Sequence, residues 1–150
     1  ELFMPYLRIW IHLIWSTKNR EPMLNKEIRS NVFEHIRKNA KDKSIYLDTI
    51  DGYVEHVHAL ISLASDQTIA KVAQLLKGES SHWINKNSMT STKFEWQDEY
   101  FAVSVSESTL EKVREYIRGQ EEHHRKKSFF EEYKQLLEKY GFSSDGLKSG

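Results

Sequence analysis

The chain has 150 residues, 39% of them hydrophobic and 12% aromatic, which suffices for one buried core and is short for two. It has no cysteine, which excludes disulfides and thiolate metal sites and leaves any metal to His, carboxylate, amide or water. Basic and acidic residues balance at 22 each, and no apolar run nears the ~18 to 20 residues that span a bilayer, so we expect a soluble cytoplasmic protein of one domain, 1–150, with its core at about 4–141.

Leu7 to Trp15 alternates, with Leu7, Ile9, Ile11, Leu13 and Trp15 on one face and Arg8, Trp10, His12 and Ile14 on the other. This pattern predicts a strand. Residues 26 to about 42 carry Ile28, Val32, Ile36 and Ala40 at fourfold spacing among charges, the stripe of an amphipathic helix. Ser44 to Ile50 reads as a second strand, Asp51-Gly52 as a turn, and His56 to Leu63 as a third strand closing a hairpin. Thr68 is placed to cap a second helix reaching about Asn87, built on Ile69, Val72, Ala73, Leu76, Ser80 and Trp83. Alternation returns at Phe101, Val103 and Val105 for a fourth strand, with a start as early as Phe94. Ser108 or Thr109 can cap a third helix running to about Arg125, and Phe129 to Tyr140 reads as a fourth, stopped by Gly141. The small polar tail from Ser143 should fray.

The order β-α-β-β-α-β followed by helices predicts an α+β, ferredoxin-like split β-α-β core. It has a four-stranded antiparallel sheet with helices on one face, the other face open, and C-terminal helices appended. Basic residues cluster within it: 18–43 holds eight Lys or Arg against four acids, and 44–70 holds none. That bias permits a positive surface for phosphates and equally describes a solvated helix face.

Two constellations carry chemistry. His56-Val57-His58 lies on the third strand, where residues two apart share a face, so both imidazoles should leave the helix-covered side and meet a divalent ion with further ligands. Tyr116 and Gln120 lie four apart on the third helix, at the edge of its stripe Leu110, Val113 and Ile117. Burying that stripe on the sheet would aim both toward the histidines. Gly119 in a helix interior hints at close approach of something to the backbone. His123 and His124 follow on nearly the same face as replacement ligands, proton shuttles or, more simply, groups supporting the ligands or facing a bound substrate. His12 lies on the same side of the sheet without a visible partner and reads as structural, and His35 and His82 belong to no constellation.

A strand His-hydrophobic-His followed by a helical Tyr-x-x-x-Gln resembles the single-tyrosine HUH transposases, the insertion-sequence enzymes and their REP-associated relatives. Ile11-His12-Leu13-Ile14-Trp15-Ser16-Thr17-Lys18-Asn19-Arg20 and Gln120-Glu121-Glu122-His123-His124 add to the likeness, which covers about residues 4–141. The resemblance implies His56, His58 and Gln120 as ligands of Mg²⁺ or Mn²⁺ and Tyr116 as nucleophile. It further implies a 5′-phosphotyrosine intermediate, single-stranded hairpin DNA as substrate, and a homodimer. No P-loop or other nucleotide motif occurs, in keeping with strand exchange that conserves ester energy. Lys18, Asn19, Arg20, Lys77, Ser80, Ser81 and Arg118 are the side chains chosen for DNA contact. Two other readings compete: a non-catalytic nucleic-acid-binding module, for which no RNP-type aromatic pair is found, and a replication or transfer nickase, for whose usual extra domains there is no room.

Overall fold

A computed structural model describes residues 6–143. Its elements are β1 (Trp10–Ser16), a 3-10 turn (Lys18–Arg20), α1 (Lys26–Asp42), β2 (Tyr46–Gly52), β3 (His56–Ser62), α2 (Ile69–Lys86) and β4 (Phe101–Val105). A second 3-10 turn (Glu107–Thr109) leads to α3 (Leu110–Arg118), α4 (Gln120–His123) and α5 (Phe129–Lys139). The sheet order is β2-β3-β1-β4 with every neighbouring pair antiparallel, the expected split β-α-β topology.

Local chemistry sets the boundaries of the first two long helices. The Asn25 side chain accepts from the Ile28 amide at the start of α1, and Thr68 accepts from the Lys71 amide at the start of α2. Their apolar stripes, Val32, Phe33, Ile36 and Ala40 on one and Val72, Ala73, Leu76 and Ile84 on the other, pack on Ile11, Leu13, Trp15, Val57, Ala59 and Ile61. Each fully buried Val, Leu or Ile contributes about 1.5 to 3 kcal/mol, so this layer is the principal core.

Five expectations need correction. The first strand begins at Trp10, not Leu7, because Trp10 pairs with Ser62 and Val105, where both partner strands end. Leu7 and Ile9 are consequently exposed. Asp51 and Gly52 are not the hairpin turn but the end of β2; the connection is Tyr53 to Glu55, and the Tyr53 amide donates to the His56 carbonyl at 3.0 Å. Phe94 to Tyr100 is no strand. It is a loop that drives Phe94 and Trp96 into the core, clamped by the Asn85 side chain on both backbone groups of Phe94. The third helix stops at Arg118, and the Gly119 backbone (φ −91°, ψ 15°) separates α3 from the short α4. Neither Ser108 nor Thr109 gives α3 a side-chain cap; the chain enters through the 3-10 turn that follows Ser106.

A further correction bears on function: the second sheet face is covered, not open. Leu110, Val113 and Ile117 of α3 pack on Trp10 and Leu60, and Phe129 of α5 packs with Ile14 and Phe101. Arg114 clamps α3 to the edge strand through two 2.9 Å bonds to the Asp48 carboxylate, the bidentate geometry that fixes orientation as well as distance. The expected fraying of the tail falls, from residue 144, outside the described residues. Among the described residues no helix is long and apolar enough to cross a membrane.

Candidate active site

His56 and His58 leave β3 on the face covered by α3 to α5, and both are fully buried. Their outer nitrogens are occupied. His56 Nδ1 lies 2.7 Å from Glu55 Oε1, and His58 Nδ1 lies 2.9 Å from Nε2 of His12 on the neighbouring strand. Such partners orient an imidazole and select which nitrogen faces inward. Both Nε2 atoms therefore point into one chamber, and the Phe129 ring stacks on His56 with centroids 4.0 Å apart.

Tyr116 and Gln120 enter the same chamber from α3 and α4. The Tyr116 ring lies 5.6 Å from that of His58 and 6.1 Å from that of His12. Gln120 Oε1 is 2.9 Å from His56 Nε2, and its amide nitrogen donates to the Tyr116 carbonyl at 3.4 Å. The break at Gly119 preserves this pairing. A Cβ there would meet only the Glu115 and Tyr116 carbonyls, at 3.3 and 3.9 Å, so the glycine eases the turn of its own helix end and receives no outside group.

The centre of the chamber is Glu132 of α5, absent from every sequence-based candidate. Its side chain is 2% exposed. It accepts from the Tyr116 hydroxyl and from the Gln120 amide at 3.2 Å, and lies 3.3 Å from His58 Nε2 and 3.1 Å from His124 Nε2. A signal for it existed: α5 carries Phe129, Tyr133, Leu136 and Leu137 as its inward stripe, and Glu132 is an acid inside that stripe. His12, read as structural for want of a partner, has one in His58, and Glu55 serves His56 in the same way.

His124 is inside the cluster. Its Nδ1 donates to the Lys127 carbonyl at 2.7 Å, which leaves Nε2 facing Gln120 Oε1 at 3.0 Å and Glu132 Oε1 at 3.1 Å. His56 repeats the pattern: with Nδ1 on a carboxylate, its Nε2 also faces amide and carboxylate oxygens. Imidazole nitrogens, an amide oxygen and a carboxylate thus converge on one point, and this donor set suits a divalent ion. His56, His58 and Glu132 offer ligand atoms all within 4.8 Å of one another, and His123, His124 and Glu132 form a second such group. His123 stands at the rim, its Nε2 3.4 Å from Glu132 and its ring against Tyr116.

The chosen DNA-contact residues divide. Lys18, Asn19 and Arg20 form a turn near the site, with the Arg20 guanidinium over the rings of Phe129 and Phe130. Lys18 pairs with Glu95 at 3.2 Å, and Arg118 is exposed 3.8 Å from Glu111. Lys77, Ser80 and Ser81 lie on α2, across the sheet from the histidines. Ser80 is fully buried, bonded to the Leu76 carbonyl and accepting from Trp96 Nε1, so it cannot touch DNA. Lys77 donates to the carbonyls of Gln97, Asp98 and Glu99 and tethers their loop; Ser81 bonds the Gly78 carbonyl. His35 is engaged between helices, bonded to Glu79 and stacked on Trp83.

Burial and the neighbouring His58 lower the His12 pKa to about 3. Burial lowers His58 to about 4 against the opposing pull of Glu132. Burial pushes the Glu132 carboxyl up, but hydrogen bonds from His124 and His58 outweigh it and hold the group below the usual carboxylate range. Burial and then Glu132 raise the Tyr116 phenol well above its ordinary value. Between their folded values and 6.5, both lowered histidines bind fewer protons folded than unfolded. Their contribution to stability is therefore complete above about pH 6.5 and is lost as pH falls toward 4 and 3. In chelator, the melting temperature should drop between pH 7 and pH 5, with a slope approaching ~1.4 kcal/mol per pH unit for each proton taken up on unfolding. A melting temperature that holds steady or rises on acidification would refute this assignment.

Comparison with known proteins agrees with the geometry. The ISDra2 transposase TnpA of Deinococcus radiodurans is 28% identical over 115 residues, 73% of this chain and 81% of that protein. A Deinococcus radiodurans R1 crystal structure described as a candidate transposase shares the fold with TM-score 0.63 at 24% identity, over 80% of this chain and 97% of that one. A REP-associated tyrosine transposase bound to a REP hairpin does so with TM-score 0.61 at 16% identity, over 83% of this chain and 73% of that one. The family described as "Transposase IS200 like" matches residues 6–120, from the approach to β1 through Gln120, and the chain accordingly belongs to the IS200-like transposases.

Proposed function

We propose that this transposase cuts and rejoins single-stranded DNA through a 5′-phosphotyrosine on Tyr116, with Mg²⁺ or Mn²⁺ held by His56, His58 and Gln120. The observation that carries the reading is that the phenol, the amide and two inward-facing imidazole nitrogens, 64 residues apart at their extremes, meet in one buried chamber. The Tyr116 oxygen attacks phosphorus, the bond from phosphorus to the 3′ oxygen breaks, the phenol gives up its proton, and the departing 3′ oxygen takes one up. A 3′ hydroxyl on another strand reverses the step, so exchange consumes no nucleotide. When bound, the ion neutralises the phosphate oxygens and polarises the scissile ester.

The protein's own groups do the remainder. Glu132 accepts the Tyr116 hydroxyl proton in a hydrogen bond and so aims the oxygen. The raised phenol pKa keeps Tyr116 protonated near neutral pH, so its proton is surrendered during attack and not before. Gln120 ties amide, phenol backbone and carboxylate together. Lys18, Asn19, Arg20 and Arg118 supply phosphate contacts at the rim. Hairpin ends are the proposed substrate, supported by a neighbour of the same fold that is bound to a hairpin. The chain works in the cytoplasm as a homodimer, one domain per copy.

The test is incubation of hairpin-bearing single-stranded DNA with the protein and Mn²⁺, followed by a denaturing gel. The wild type should yield a covalent protein-DNA adduct, and His56→Ala should still melt cooperatively but yield none. An adduct formed as readily by His56→Ala would overturn the metal assignment.

A further inference from the structure

We infer that Glu132 is a fourth protein ligand of the divalent ion, binding it through Oε1 while Oε2 holds the Tyr116 hydroxyl. This rests on the metal reading above and extends it to a helix beyond the matched family segment, which ends at residue 120.

The two carboxylate oxygens face different groups. Oε1 lies 3.3 Å from His58 Nε2, 3.1 Å from His124 Nε2 and 3.5 Å from His56 Nε2, so it meets the imidazoles that surround the ion position. Oε2 meets the Tyr116 hydroxyl, the Gln120 amide nitrogen at 3.2 Å and His123 Nε2 at 3.4 Å. One side chain thus joins the ligand set to the nucleophile.

Charge and sequence point the same way. Two imidazoles and an amide are all neutral donors, whereas hard ions such as Mg²⁺ and Mn²⁺ prefer anionic oxygen. Among the described residues, no Lys or Arg side chain lies within bonding reach of Glu132, although the carboxylate is 2% exposed. An ionised carboxylate buried without a fixed cation is costly, and a divalent ion between Oε1 and the imidazoles supplies that cation. Glu131 and Glu138 on the same helix are exposed, so the inward acid is particular to this position.

A ligand on α5 links the docking of that helix to the ion. Metal binding should then tighten α5, which also carries the Phe129 ring stacked on His56.

The experiment is Mn²⁺ titration of the metal-free protein, followed by electron paramagnetic resonance, with hydrogen-deuterium exchange of residues 129–139 measured in parallel. Glu132→Gln keeps the shape and removes the charge. We expect its Mn²⁺ affinity to fall at least about tenfold and the Mn²⁺-induced slowing of α5 exchange to disappear. Glu132→Asp, which keeps the charge, should retain measurable Mn²⁺ protection of α5 and covers the case in which Glu132→Gln does not fold. If Glu132→Gln binds Mn²⁺ like the wild type while His56→Ala loses it, Glu132 is a packing hub and the inference is overturned with the metal site intact. If the wild type itself binds no Mn²⁺, the metal reading fails and this inference falls with it.

Discussion

Tyr116→Phe should give a folded protein that still takes up Mn²⁺ and hairpin DNA but forms no covalent adduct and cuts at least ~10³-fold more slowly. The substitution removes one oxygen and leaves the ring, whose contacts with His12, His58 and His123 depend on shape. Glu132 Oε2 loses the hydroxyl but keeps the Gln120 amide, so the stability cost should be about 1.5 to 3 kcal/mol, that of one hydrogen bond to a charged group. A modest melting shift with complete loss of adduct separates a nucleophile from a packing aromatic. Retention of the adduct would transfer the nucleophile to another residue, and six further tyrosines are present in the chain.

Much of this arrangement was legible in the residues because local rules and packing agree there. The fourfold spacing of Val32, Ile36 and Ala40 gives α1 within a residue of its ends, since Asn25 supplies the cap that the stripe requires. The alternation of His56 to Ser62 separates Val57, Ala59 and Ile61, in the main core, from His56 and His58, in the chamber. What escaped needed knowledge of partners distant in the chain. Whether the histidine face is open or covered depends on how α3 to α5 fold back, which the α3 stripe alone does not fix and the Arg114 to Asp48 clamp across 66 residues does. Glu132 resembles any other helical acid until its neighbours on the stripe are seen to be buried. His12 needed the register that sets it beside Leu60, two residues from His58 on the same face, before its ring could be given a partner.

The second large effect is expected at a residue that carries no chemistry. A Cβ built on Gly52 would stand 2.1 Å from the His56 carbonyl oxygen and 3.1 Å from the Phe33 ring, with β3 backbone on one side and the core on the other. The backbone has to move, so Gly52→Ala should cost roughly 2 to 3 kcal/mol and lower the melting temperature by roughly 5 to 10 °C. The segment that yields is the one that carries His56, so Mn²⁺ affinity should fall with it although Gly52 touches no ligand atom. Gly78→Ala is the control. It sits in α2 with nothing within 4 Å of the added carbon and should be neutral or stabilising, by up to ~1 kcal/mol, with Mn²⁺ binding unchanged. Equal melting temperatures and equal Mn²⁺ affinities for the two variants would mean that the close approach of β2 to β3 does not hold the first imidazole in position.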